Sequence, residues 1–193
     1  MEKIALGGAS SDWTDEELAS ALSSGDETAF RMLADRYLSK VYAYCARVTG
    51  DGADAEDLSQ DVFLRLWRNA SQWDEERLPF EAWLMVLARH RCIDYLRRKQ
   101  RRPRAEAIDE DLPDERADPG RETHEKEVAQ RVQDALMKLP FNQRSAIVLR
   151  YYQGYSNEET AAILDVTIYA LESLLKRGKA NLRRALGDFG KWQ

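Results

Sequence analysis

Histidine and cysteine are scarce in this 193-residue sequence, with two of each. His90 and His124 are too few for a zinc cluster, so no metal centre is expected. Cys45 and Cys92 stand among apolar neighbours in helical stretches and read as packed, reduced thiols; a redox switch or a metal site is the alternative. No uninterrupted apolar run approaches 18 residues, so no membrane span is expected. The N-terminal MEKIALGGASSDWTDEEL has no apolar core and is acidic, unlike a signal peptide. The hydrophobic fraction of 44% is ordinary and supports one or two small domains.

Positive charge is also in deficit. The net charge of −5 argues weakly against a nucleic-acid partner. The distribution reverses that argument. Residues 89–104 carry eight Arg or Lys against one acid, and residues 176–193 carry six against one. The acids lie elsewhere, in 1–30, in 51–61 and in 105–127, where ten acids face three bases. Two basic patches are thus separated by an acidic strap.

Taken in order, residues 1–13 read as a loose tail. Thr14 opens T-x-x-E with Glu17, a capping box, and predicts a helix over 14–23. Gly25 and Asp26 break it. Phe30, Leu33, Tyr37, Val41, Tyr44 and Val48 recur at three- and four-residue spacing and predict a core-facing helix over 27–48. The run Thr49-Gly50-Asp51-Gly52 is a stop and a turn. A helix over 54–69 follows, with Leu58, Val62 and Leu66 as its apolar stripe and Asp54, Glu56 and Asp57 at its positive end. Trp73 falls in a polar loop, either as a lid on the local core or as a surface for an unstacked base. Residues 80–101 form a long basic helix that Pro103 ends, with Trp83, Val86, His90, Ile93 and Leu96 able to share a stripe.

Residues 104–127 are acidic, contain Pro113, Pro119 and Gly120, and read as a flexible linker. Such a linker spans about 80 Å extended and roughly 27 Å as a coil. From residue 128 a compact helical unit follows. Its first helix is amphipathic and closed by Pro140. A second covers 142–152, with Ile147, Val148 and Tyr151 inward. Ser156 and Glu159 cap a short helix ending at Leu164. Asp165-Val166-Thr167 is a tight turn. A last helix covers 168–186, with Gly178 on its buried stripe, which signals close packing. A short helix, a three-residue turn and a longer helix make a helix-turn-helix, whose second helix fits the DNA major groove. Thr167, Ile168, Tyr169, Glu172 and Ser173 are placed to reach base edges, and Lys176, Arg177, Lys179 and Arg183 to reach phosphates.

Two stretches carry a family resemblance. D-A-E-D-L-x-Q-x-V-F-L-R-x-W, followed by W-L-x-x-x-A-R-x-x-x-x-D-Y-L-R-R, resembles region 2 of group IV, or extracytoplasmic-function (ECF), bacterial sigma factors. L-P-x-x-x-R-x-x-x-x-L-R-Y-x-x-G-x-S-x-x-E-x-A-x-x-L resembles sigma region 4. The resemblance implies an all-α protein with two small helical domains, a region 2 bundle over 14–103 and a region 4 helix-turn-helix domain over 128–193. It implies a cytoplasmic bacterial protein, monomeric when active, with no catalysis and no cofactor.

The resemblance also implies roles. Asp54, Glu56, Asp57, Gln60, Asp61, Phe63, Arg65 and Trp67 correspond to the helix that docks on the β′ clamp helices of core RNA polymerase. Trp73, Phe80, Trp83, Arg89, His90, Asp94, Arg97, Arg98 and Arg101 correspond to the part that opens and holds the −10 promoter element. Ser156 joins the residues of the last helix named above as the −35 set, and region 4 also touches the β flap. The linker would follow the path of RNA, and an anti-sigma factor would cover the same surfaces. Four positions depart from the commoner pattern: His90 stands where many relatives have Asn, Asp165 replaces a turn Gly and so must tolerate φ > 0, and Glu172 with Leu174 alters the recognition helix.

Two other readings compete. A plain helix-turn-helix regulator would bind duplex DNA unaided, usually as a dimer. Against it, the N-terminal half carries its own basic helix and there is no heptad seam. A magnesium nuclease built on Asp54, Glu56, Asp57 and Asp61 needs converging oxygens, and these acids face different ways with no general base beside them.

Overall fold

The computed structural model describes residues 13–101 and 122–187, and every regular element among them is helical. The tail, Pro103 and most of the acidic strap lie outside the described residues. The all-α expectation therefore holds where the structure describes the chain, and no described helix is long and apolar enough to cross a membrane.

Local signals set the helix ends. Thr14 and Glu17 form the reciprocal capping box that starts α1 (Asp15–Ser23). Asp26 caps α2 (Glu27–Thr49), which stops at Gly50 in the left-handed region, φ 81°. Asp51 caps α3 (Gly52–Asn69), two residues earlier than expected, because its carboxylate accepts from the backbone of Ala53 and Asp54. A 3-10 turn and a loop lead to α4 (Phe80–Arg101), whose bounds match the expectation.

The first four helices enclose a core. Leu33, Tyr37, Val41, Tyr44 and Val48 of α2 face Leu58, Val62 and Leu66 of α3, all buried. Each such side chain contributes about 1.5–3 kcal/mol on burial. The expected stripe on α4 is not the buried one. His90 is exposed and Trp83, Val86, Ile93 and Leu96 are half-buried, whereas Leu84, Met85, Ala88, Arg91 and Cys92 face inward. Spacing offered two stripes, and the true one includes small residues and an ion-paired arginine, which weaken its apolar signature. Cys45 and Cys92 are free, fully buried thiols with Sγ atoms 3.6 Å apart. Their mutual hydrogen bond and burial push the Cys92 thiol up, which keeps it protonated.

The C-terminal helices are α5 (Glu122–Met137), α6 (Phe141–Ile147), α7 (Asn157–Leu164) and α8 (Ile168–Leu186). Helix α5 begins six residues before the expected boundary. No Pro or Gly follows Gly120 until Pro140, so nothing in the chain stops the helix from extending into the polar segment. The expected single helix over 142–152 ends instead in a π turn (Val148–Tyr152), where Gln153 N–H donates to Val148 O at 3.0 Å. The wider turn rotates Tyr151 outward, contrary to the inward expectation; Tyr151 is exposed and Leu149 fills the core.

Two other expectations hold. A Cβ built on Gly178 would stand 2.9 Å from Ile147 Cδ1, so α8 approaches α6 as closely as the glycine allows. Asp165 turns the chain between α7 and α8 at φ 54°, the one described non-glycine residue with positive φ.

The two helical units are packed together. Helices α5 and α6 and the π turn meet α2, α7 lies against α4, and the buried cluster runs without a break from Leu18 to Leu175.

Candidate nucleic-acid interface

On α4, Trp83, Leu87, His90, Asp94, Arg97 and Arg101 lie three and four residues apart and form the outward face. His90, Arg97, Arg98 and Arg101 are exposed, so the last three turns present a cationic strip to solvent. Arg89 is not on this strip. It is half-buried, and its Nε is buried without a hydrogen-bond partner. Phe80 is also off the surface. It is 1% exposed and packs against Tyr37, Trp73 and Trp83, so it anchors the start of α4 and offers nothing for DNA to touch. Trp73 Nε1–H donates to Leu78 O at 2.9 Å, and its ring meets Phe80 edge-on. Of its two readings, the geometry is that of a half-buried lid.

The acids of α3 divide into two groups. Asp61 pairs with Arg91 of α4, and Asp94 lies 3.7 Å from the same guanidinium. Asp54 accepts from Tyr95 and from Lys99, the latter at 3.1 Å, and Lys99 Nζ also reaches Tyr95 Oη at 2.9 Å. Burial and then the Asp54 carboxylate raise the Tyr95 phenol, and the bond to Tyr95 raises the Lys99 ammonium. Asp54 and Asp61 therefore brace α4 against α3. Glu56, Asp57, Gln60, Arg65 and Trp67 are exposed and form the free surface of α3. Phe63 is buried against Phe30 and only 5% exposed. The sequence reading missed Leu64, which is 54% exposed between Gln60 and Trp67. Its signal was an apolar residue off the Leu58–Val62–Leu66 stripe.

In the C-terminal unit Thr167 caps α8 by accepting from Ala170 N–H at 3.2 Å. Ile168, Tyr169, Glu172 and Ser173 are exposed at the start of the helix, and Tyr169 is the most exposed of them. Ser156 is half-buried and occupied by its own cap, accepting from Glu159 N–H at 3.1 Å. Its hydroxyl is committed to starting α7. Beside α8 lies an open groove of about 570 Å³, lined by Arg150, Tyr151, Asn157, Lys176, Lys179 and Arg183 among others. Arg177 is exposed and its Nε donates to Ser173 O. Arg150, missed from the sequence, is held by Asn157 Oδ1 at 3.0 Å, and Lys179 lies over the Tyr151 ring at 4.6 Å. Four cations around one groove suit a phosphate backbone. The π turn brings Arg150 there, which periodicity does not announce. No group of His, Cys, Asp and Glu among the described residues could hold a metal ion.

The comparisons agree with this geometry. The Sigma-70 region 2 profile matches residues 33–102, and the Sigma-70 region 4 profile matches residues 129–182. The chain is 33% identical over 184 residues to the ECF RNA polymerase sigma factor SigE of Mycolicibacterium smegmatis, covering 90% of this chain and 70% of that protein. It is 34% identical over 167 residues to a SigK of Mycobacterium, covering 84% and 85%. Among solved structures it is similar to CnrH in complex with the cytosolic domain of CnrY, with a TM-score of 0.64, 30% identity, and 87% and 94% of the two chains covered. From the exposed cationic faces, the helix-turn-helix and these matches, the chain belongs to the extracytoplasmic-function group of the sigma-70 family of RNA polymerase sigma factors.

Proposed function

We propose that this chain binds core RNA polymerase, carries it to particular promoters and opens the DNA there, without chemistry of its own. The carrying observation is the pairing of two cationic surfaces on separate helical units: the outer face of α4 and the groove beside α8. A duplex-only regulator needs just the second. In this reading α8 enters the major groove of the −35 element, with Tyr169, Glu172 and Ser173 at base edges and Arg150, Lys176, Lys179 and Arg183 on phosphates. The outer face of α4, with His90, Arg97, Arg98 and Arg101, holds the −10 strand. Unstacking costs a few kcal/mol per step, and each captured base returns about 1–3 kcal/mol.

Polymerase docks on the exposed part of α3. Asp57, Gln60, Leu64 and Trp67 share one stripe there, an apolar spot with an acidic flank. Asp54 and Asp61 support the reading indirectly, by fixing the angle between the docking helix and the DNA helix. CnrH is solved with the cytosolic domain of CnrY; we assign this chain a protein antagonist of its own, an anti-sigma factor that covers the same surfaces.

Run-off transcription with sigma-free core polymerase on a pool of bacterial upstream fragments tests the proposal. Discrete transcripts are expected, and Asp57→Arg should abolish them while leaving the fold intact. Asp57 is the better probe than Asp61, whose loss also unpairs Arg91. A shift of duplex DNA without polymerase, and no transcript with it, would favour the stand-alone regulator.

A further inference from the structure

We propose that Cys45 and Cys92 are a redox-active pair, which a small hydroperoxide closes to a disulfide that clamps α2 to α4. Such chemistry is independent of any role at a promoter.

The two thiols are already in register. They stand on different helices, 47 residues apart in the chain, with their Sγ atoms 3.6 Å apart. A disulfide holds its sulfurs about 2.05 Å apart, so each sulfur has to move by less than about 1 Å. Both residues are 0% exposed, and both are free thiols.

Their surroundings favour negative charge on one of the two. Arg91 is 8% exposed and Arg144 is 5% exposed, and the Nε of each is buried without a hydrogen-bond partner. Arg91 has Asp61 and Asp94 as counter-ions. Among the described residues no carboxylate pairs with Arg144. Its Nη1 reaches Met137, the carbonyl oxygen at 3.5 Å and Sδ at 2.8 Å. Both guanidiniums favour the Cys92 thiolate, against the bond to Cys45 and burial. Cys92 therefore rests as a thiol, and its thiolate, once formed, is the anion that Arg144 lacks. Cys92 is the attacking group and Cys45 the resolving one.

One peroxide balances the reaction. The Cys92 thiolate attacks one peroxide oxygen and the O–O bond breaks. That oxygen stays on sulfur as a sulfenic acid, and the other leaves as hydroxide, which takes up the thiol's proton as water. The Cys45 sulfur then displaces the sulfenic oxygen, the S–S bond forms, and the Cys45 proton departs with that oxygen as a second water. Two electrons pass from the thiol pair to the peroxide.

Burial selects the oxidant. A hydroperoxide is little larger than water, whereas an aromatic disulfide reagent cannot reach a 0% exposed sulfur in the intact fold. Because Cys45 already touches Cys92, the sulfenic acid is consumed before a second peroxide takes it to sulfinic acid. The bond closes a loop that contains all of α3, which restrains the unfolded chain.

The test treats the reduced full chain with hydrogen peroxide, removes the peroxide with catalase, unfolds the chain in an alkylating agent and measures its intact mass. The parent should lose the mass of two hydrogens, take up no alkyl group and yield one cross-linked peptide pair containing Cys45 and Cys92, all reversed by dithiothreitol. Its melting temperature should rise by about 8–16 °C on oxidation. Cys45→Ala, with circular dichroism to check its fold, should stop at a Cys92 sulfenic acid that dimedone traps. Arg144→Met should slow oxidation of the pair about threefold or more. Two alkylated thiols after peroxide, a sulfinic acid on one cysteine, or a cross-link between two chains overturns the pair. A bond that forms without a rise in melting temperature overturns the clamp. An unchanged rate in Arg144→Met overturns the part given to that guanidinium, and rapid reaction of the native parent with an aromatic disulfide reagent overturns the size selection. The parent chain alone decides the main claim, so a variant that fails to fold does not shield it.

Discussion

Removing the Asp61 carboxylate should destabilise the fold, although Asp61 lies on the helix assigned to polymerase. Its partner Arg91 has a side chain only 10% exposed, while Asp61 itself is 47% exposed. Breaking a fully buried pair costs about 3–5 kcal/mol, and an exposed pair is worth about 0–1 kcal/mol. This pair lies between those limits, and Asp94 at 3.7 Å remains as a partial substitute. Asp61→Ala should therefore cost about 1–3 kcal/mol, or roughly 3–9 °C in melting temperature for a chain of this size. Asp57→Ala, on the same helix but exposed, should stay within about 0.5 kcal/mol of the parent. Both replace Asp by Ala inside one helix, so the propensity gain cancels in the comparison. Urea unfolding followed by circular dichroism measures the difference. A cycle with Arg91→Met should return a coupling of about 1–2 kcal/mol. Equal midpoints for Asp61→Ala and Asp57→Ala would refute the reasoning and return Asp61 to a purely external role.

Three further outcomes are expected. Lys176→Ala and Lys179→Ala should each reduce the slope of log affinity for −35 duplex against log salt by about 0.9, as titrations of the polymerase-bound chain at several salt concentrations would show; Glu172→Ala should leave that slope unchanged. Asp165→Gly should stabilise the chain by about 0.5–1 kcal/mol and Asp165→Val should destabilise it, because the turn holds φ at 54°; thermal melts distinguish the two. Alkali should unfold the protein. Hydrogen bonding to Cys45 and burial raise the Cys92 thiol, and burial first, then the neighbouring carboxylates, raises the Tyr37 and Tyr155 phenols, while burial raises that of Tyr44. A raised folded pKa means that the unfolded chain loses its proton first, so stability is full below the unfolded values of 9.0 and 10.0 and falls above them. Melting temperatures should be steady to about pH 9 and drop steeply above pH 10, and a steady value through pH 11 would contradict the burial of these groups.

Much of the architecture follows from local chemistry. Thr14 with Glu17 and Ser156 with Glu159 start helices because their side chains bond the nearest free backbone N–H groups, and that logic needs no tertiary contact. The stripes of α2 and α3 were legible because a helix with one apolar face has one way to bury it. The same pattern, together with the two sigma-like motifs, determined that there are two helical units with basic surfaces.

Where a stripe is ambiguous, only packing chooses. On α4 the sequence allowed His90 inward and Arg91 outward; the structure does the reverse, because Asp61 stands across from Arg91 and neutralises it. Asp54, Phe63 and Phe80 read as contact residues from the motif, but each is engaged by a neighbour distant in the chain, and Arg89 is half-buried. Arg150 reaches the groove only because a π turn adds one residue to the ladder. Whether the units stand apart or together was also beyond the sequence. That depends on Tyr155 meeting Glu81 and Tyr44 meeting Ser145, pairs separated by 74 and 101 residues, and contacts at such range leave no periodic trace in either segment.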